Sequence, residues 1–403
     1  MRRTAGVVAL DLLFMGINFS ALTLFSTLHS YISSEIPMTG FEVQVAAAAY
    51  SVGIFGAFFL GHSRLSENYP RLTVVLASLF AAIPQFLIPL VSSGLVISIL
   101  RFLQGLVMMA VPIFSAQVGK LLSRARPFAL GIILSGIFIG GLIGAKAGIG
   151  LQNMLGWRAT YMVFGVLMVA TAFVWWFLTP EETLPTPRKI SERIPSLSVW
   201  RIKFTWVWGF TFFPSIWIIF TLAPLIHFIV SQTAPGFGQI ASETLEASYA
   251  TWSIVVGAFT YMLARRSGGR PEDLFTTFAK VQALCFVISA IGAGIALMAG
   301  SAEIFILAIV LVAVVQGTAP TFWSVPSTAY SESVVTKAGY ALGLISNSAA
   351  LIGPLTSVLI SSISETGMWL MISLLGLVGL ITTLLSLRIP RPREGRNTAK
   401  WKY

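Results

Sequence analysis

Apolar and polar residues alternate along this chain on a long wavelength. Runs of about 20 mostly apolar residues, the length that carries an α-helix across a hydrocarbon core, are separated by short polar connections. There are twelve runs, at roughly 5–29, 43–61, 72–92, 95–118, 128–152, 158–179, 204–230, 247–264, 274–299, 302–322, 338–362 and 368–387. The pattern predicts an all-α membrane protein with twelve transmembrane helices.

The connections differ in charge. Of the 26 Lys and Arg residues, all but Arg101, Lys146 and Arg158 fall on one side, so 26 − 3 leaves 23 there, together with both termini. Glu35, Glu42, Glu243, Glu246, Glu303 and Glu365 mark the other side. Basic connections stay in the cytoplasm, so the reading is a multi-pass protein of the plasma membrane with both termini cytoplasmic. The longest polar stretch, 179–196, mixes prolines with both charges and predicts a linker. The chain then divides into a first six-helix bundle at 1–179, a cytoplasmic linker at 180–203 and a second bundle at 204–388. A basic tail at 389–403 lies against anionic lipid.

The halves echo each other. Gln104-Gly105 recurs as Gln316-Gly317 and Ala129-Leu130-Gly131 as Ala341-Leu342-Gly343; 316 − 104 and 341 − 129 both give 212. A duplicated six-span unit with its site between the copies is a transporter plan. The fifth run adds a second pattern. Gly136, Gly140, Gly144 and Gly148 recur every fourth residue and share one helix face. Each glycine costs a soluble helix about 0.8–1.0 kcal/mol against alanine, but in a bilayer such a stripe lets two backbones pack closely. It predicts a partner helix, and a helix of the other half is one candidate.

Composition narrows the class. The chain is 56% hydrophobic and only 10% charged, against about 25% charged in average soluble proteins. The net charge of +11 is accounted for by the basic side, so no nucleic-acid partner is expected. One cysteine, Cys285, excludes a disulfide framework, and His29, His62 and His227 show no ligand spacing. No metal and no cofactor are therefore expected. The first run follows Arg2 and Arg3, is long enough to span and lacks an A-x-A site, so it reads as a helix and not as a cleaved leader.

At this point the residues resemble the major facilitator superfamily across essentially the whole chain. Arg101-x-x-Gln104-Gly105 is similar to that family's R-x-x-Q-G signature in the fourth span. The fifth span resembles the antiporter signature G-x8-G-x3-G-P-x2-G-G at Gly131, Gly140, Gly144 and Gly148, with Ala145 in place of the proline and Ile149 in place of the last glycine. The loop signature between spans two and three, G-x-L-A-D-R-x-G-R-R, is eroded at 61–71, with no aspartate in place. Its second copy is better kept as L-A-R-R-S-G-G-R, with Arg266, Gly268 and Arg270. The resemblance implies two pseudo-symmetric six-helix bundles and secondary transport by alternating access. It also implies that Arg101 takes part in proton transfer or organises the cavity.

Charged residues inside spans are costly and mark sites by default. Asp11 and Asn18 lie seven residues apart on one face of the first helix. Asp11 is the candidate proton carrier if that face lines a cavity; near the span end it would instead meet headgroups. Arg101 lies about 10 Å into the fourth span at 1.5 Å per residue, and with Gln104 it is a candidate substrate ligand. Lys146 stands about 200° around the helix from Gly144 at 100° per residue. It either binds substrate or runs its stem to the outer interface. Lys280 reads as snorkelling. Trp217 in the aromatic seventh span, Gln316 and Trp323 around the tenth and Asn347 in the eleventh complete the candidate substrate set.

No G-x-x-x-x-G-K-[ST] is present, so the energy source is a gradient. The expected function is secondary transport of a small organic anion, coupled to protons, by a monomer. The alternatives are efflux of lipophilic compounds by antiport, or a non-transporting sensor or scaffold on the same fold. An intramembrane enzyme would need H-E-x-x-H or a paired aspartate motif, and neither occurs.

Overall fold

The computed structural model describes residues 2–186, 197–233, 238–267, 270–332, 334–353 and 365–392. A helix stands at each of the twelve expected places and, among the described residues, ten helices are long and apolar enough to cross a bilayer. The first six are Arg3–Glu35, Gly40–Gly61, Pro70–Leu90, Gly94–Leu121, Arg126–Leu155 and Trp157–Leu178. The seventh and eighth are Lys203–Thr233 and Gly238–Arg266, and the ninth and tenth are Pro271–Leu297 and Ala302–Ala329. The eleventh starts as Val335–Asn347 and is described to residue 353; the rest of that expected span lies outside the described residues. The twelfth is Glu365–Ser386.

Local chemistry sets the ends. Thr39 caps the second helix: its Oγ1 accepts from Glu42 N at 3.2 Å, and its own backbone N–H donates to Glu42 Oε2 at 2.8 Å. The two satisfy donors that the first turn leaves open. Gly156, at φ 82°, turns the chain between the fifth and sixth helices in a conformation that side chains rarely adopt. The first span is interrupted at Phe19-Ser20, between Arg2–Asn18 and Ala21–Glu35. The fourth and tenth helices each tighten into a 3₁₀ turn beside their Gln-Gly pair, at Leu106–Met109 and Ala313–Gly317.

The glycine stripe packs inside the first half. A Cβ on Gly136 would lie 2.7 Å from Met15 Cβ, one on Gly140 would fall on the carbonyl oxygen of Gly16, and one on Gly144 on that of Ser20. The partner is therefore the first span, and the expectation of a partner in the other half is corrected for these positions. Gly131, one step outside the stripe, makes the crossing instead: its Cβ would meet the Ser253 carbonyl of the eighth helix. Gly144→Leu should then insert into the membrane yet pack badly, at about 1–3 kcal/mol or more. The thermal midpoint of the purified protein should fall by several degrees. Gly150→Leu, where nothing lies within 4 Å of the added Cβ, should leave it unchanged.

Antiparallel fifth and eighth helices join the two halves along their length. Gly257 faces the Pro127 carbonyl, the Phe138 and Tyr249 rings lie 4.9 Å apart, and Lys146 Nζ sits 2.6 Å from Glu243 Oε1. At the basic end the joint is broader. Arg126 Nη1 donates to Ser324 O at 3.0 Å and to Thr328 Oγ1 at 2.7 Å, and Tyr340 Oη donates to Met109 O at 2.7 Å. Ser115 Oγ donates to Trp323 O at 2.6 Å, and Ser327 Oγ to Ser115 O at 3.4 Å. Ser115 and Ser327 are themselves 212 residues apart, so equivalent positions of the repeat meet where a two-fold axis would pass. Lys337 Nζ also lies 2.8 Å from Glu67 Oε1, in surroundings that leave the two side chains 7% and 16% exposed. The eroded loop thus keeps an acidic–basic latch between the halves, made with Glu67 at the loop's helix and not with the family's aspartate.

Candidate functional site

Where the halves face each other mid-chain they leave a cavity of about 40 Å³, counted as room for the centres of water molecules. A water needs about 10–15 Å³ on that measure, so a few fit. The first half supplies Phe19 and Leu22 from within and beyond the break in the first span, with Ile54, Met108 and Phe138. The second half supplies Phe212 and Phe220 from the seventh helix and Gln316 and Trp323 from the tenth. The lining is aromatic and aliphatic, and Gln316 is its one polar side chain among the described residues. Two of the expected substrate residues, Gln316 and Trp323, are therefore at the cavity.

Arg101 lies one residue behind that wall. It is 2% exposed. Its Nη1 donates to Ala21 O and, at 2.8 Å, to Gln104 Oε1, and its Nη2 donates to Leu22 O at 3.2 Å. The guanidinium also sits 5.3 Å from the Phe25 ring centroid and 4.8 Å from that of Tyr50. Carbonyl oxygens and π faces stabilise a cation, but neither neutralises it, and no carboxylate lies within ion-pair distance among the described residues. The fork holds the first turn beyond the break, Ala21 and Leu22, and ties it to the fourth helix. Gly105 adds a close approach of its own, against the Tyr50 carbonyl and Gly53 of the second helix.

Asp11 is buried, which removes the headgroup alternative. Trp175 Nε1 donates to its Oδ1 at 2.8 Å, while Oδ2 has no partner among the described residues. Phe14 and Phe114 close around Trp175, at 6.2 and 5.9 Å between centroids. Asn18 does not line the cavity. It donates to Phe14 O at 2.9 Å and accepts from Ser78 Oγ at 2.7 Å, inside the first half.

The remaining candidates scatter. Lys146 is at the acidic end, 61% exposed and paired with Glu243, so it meets the other half and not the cavity. Trp217 is buried but off the cavity wall. Asn347 Nδ2 donates to Gly343 O at 2.9 Å, also off the wall. Arg266 and Arg270 are exposed, and Gly268 lies outside the described residues. Sequence reasoning missed the wall residues Phe19, Leu22, Ile54, Met108, Phe138 and Phe212, because an apolar residue in a span reads alike whether it meets lipid, core or cavity.

Comparison with known proteins agrees with this geometry. The family model described as Major Facilitator Superfamily matches residues 10–354. No curated protein matches by sequence. Among solved structures, the human organic anion transporter MFSD10 (TETRAN) is similar at TM-score 0.72 and 15% identity, over 95% of this chain and 99% of that one. The proton:xylose symporter XylE is similar at TM-score 0.76 and 11% identity, over 97% and 96%. The E. coli fucose:proton symporter FucP gives TM-score 0.68 and 14% identity, over 94% and 99%. At these identities the likeness is one of fold.

Proposed function

The chain belongs to the major facilitator superfamily, and we propose that it is a secondary transporter of a small amphipathic organic anion, coupled to protons and working by alternating access. In this reading 1–179 and 204–388 are the two six-helix bundles, 180–203 links them in the cytoplasm, and a monomer acts in the plasma membrane. The observation that carries the substrate class is the cavity itself. Phe138, Phe212 and Trp323 give an apolar body stacking partners, Gln316 fixes a polar end, and Arg101 behind Leu22 supplies an uncompensated positive field. A buried cation favours an anion nearby. Asp11 is the proton carrier, since it is a buried carboxyl with one oxygen unpartnered among the described residues. MFSD10 is an organic anion transporter, and XylE and FucP are proton symporters, which agrees with both parts of the reading.

Ligand binding raises apparent stability, by about 2.7 kcal/mol at a hundredfold excess over Kd. An aromatic carboxylate should therefore raise the thermal midpoint of purified protein by a few degrees, its amide should not, and Trp323→Ala should remove the shift. A second reading, efflux of lipophilic compounds, draws on the single polar side chain in the lining. Equal stabilisation by the acid and its neutral analogues would favour it.

A further inference from the structure

Glu246 lies among the acids that mark the outer connections in the sequence, but the fold carries it inward. The eighth helix begins at Gly238, nine residues before the apolar run at 247, and so takes Glu243 and Glu246 into the joint with the fifth helix. Glu243 pairs with Lys146 at the exposed rim. One turn deeper, Glu246 is 9% exposed, and its Oε2 has no hydrogen-bond partner among the described residues. That oxygen faces Gly141 across the joint: a Cβ there would lie 3.4 Å from Glu246 Oε2 and 3.4 Å from Thr23 Cγ2. The Tyr249 hydroxyl and Ser253 Oγ, on the same helix, are also buried without partners among the described residues.

We propose that Glu246 is a second proton-binding site, separate from Asp11, that holds a proton while the fifth and eighth helices are closed at the acidic end and releases it to water when they part. The proposal rests on the alternating-access reading but not on the role given to Asp11. Ionised, the carboxylate would leave Oε2 against Gly141 without water or a partner among the described residues, a cost that buried charges avoid by taking up a proton. Parting the helices restores the water. The charges around it do not supply a counter-ion. From the fifth helix only Lys146 faces this end, and Glu243 holds it. Arg126, at the other end of that helix, is bonded to Ser324 and Thr328. On the other helices packed against the eighth, Lys203, Lys280, Glu272 and Glu303 are exposed and Asp273 is half-buried in the first turn at the basic end. His227 stands toward the acidic end of the seventh helix, so the test includes its removal.

The closed state binds one more proton than the open state, so closure is complete at low pH and is lost as pH rises. The open-to-closed ratio should climb up to about tenfold per pH unit where the site titrates. The readout is Ile137→Cys, a cavity position, in full-length Cys285→Ser protein in vesicles. It is labelled from the acidic side by an impermeant thiol reagent between pH 5 and 8. At each pH the rate is normalised to the unfolded protein. Labelling should rise with pH, and should stay low and flat in Glu246→Gln, whose amide mimics the protonated carboxyl. It should keep its pH response in Asp11→Asn and in His227→Gln. A response that survives Glu246→Gln, or that disappears in His227→Gln, overturns the proposal. Labelling that never occurs overturns alternating access itself, and the proposal with it. If Glu246→Gln does not purify as monodisperse protein, dicyclohexylcarbodiimide on the wild type decides, because it consumes protonated carboxyls. The Glu246 peptide should be modified, more slowly as pH rises, and its remaining unmodified throughout overturns the proposal.

Discussion

Arg101→Lys is expected to lose at least about tenfold in transport while still being made and inserted. The arginine holds three oxygens at once, those of Ala21, Leu22 and Gln104, between the rings of Phe25 and Tyr50. Lysine keeps the charge, but its single ammonium lacks the planar five-donor fork. Hydrogen bonds from a charged donor contribute about 1.5–3 kcal/mol each, and 1.4 kcal/mol is already tenfold. The loss falls where the first span is interrupted, next to Phe19 and Leu22 of the cavity wall. The wall should therefore lose its shape even though the field remains. Arg101→Ala should lose more, since it removes the field as well. Initial rates of uptake into proteoliposomes check both, and a wild-type rate in Arg101→Lys would refute the role given to the fork.

Asp11→Asn is expected to separate coupling from movement. Asparagine keeps an acceptor for the Trp175 indole, now 2.8 Å from Oδ1, so the surrounding rings should stay in place. The amide cannot bind or release a proton in the working range. With one proton per solute, a gradient of one pH unit drives about tenfold accumulation, the equivalent of 1.36 kcal/mol. In Asp11→Asn accumulation should collapse to the equilibrium ratio, while exchange of labelled for unlabelled solute continues. Accumulation that persists would make Asp11 a structural partner of Trp175 and nothing more.

Much of the fold was legible because hydropathy over about 20 residues reports bilayer crossing directly. The 212-residue offset also located the repeat, whose equivalents Ser115 and Ser327 meet at the basic end. What failed was direction around a helix. The spacing of Gly136 to Gly148 specified a close partner but could not say that it was the first span. Lys146 read either as a substrate ligand or as a stem running to the outer interface; it lies at the rim, and its partner Glu243 comes from a helix that starts earlier than its apolar run. That helix is the least apolar of the ten long apolar helices among the described residues. The acids depress the signal, and only the covering fifth helix makes their burial possible. Arg101 and Gln104 were legible as a motif, while the bonds from Arg101 to the broken first span depend on a chain reversal that no local pattern encodes.

The central claim is that the two halves rock about the cavity so that one end opens as the other shuts. Paired spin labels in Cys285→Ser protein measure this directly. One pair spans the acidic end at Asn153 and Ile240, and the other spans the basic end at Ser63 and Glu332, all exposed positions. Across pH 5 to 8, with and without an aromatic carboxylate, the distance distributions should each be bimodal. The long population at one end should grow as the long population at the other shrinks. Distances that stay fixed at both ends, or that lengthen at both together, would contradict alternating access.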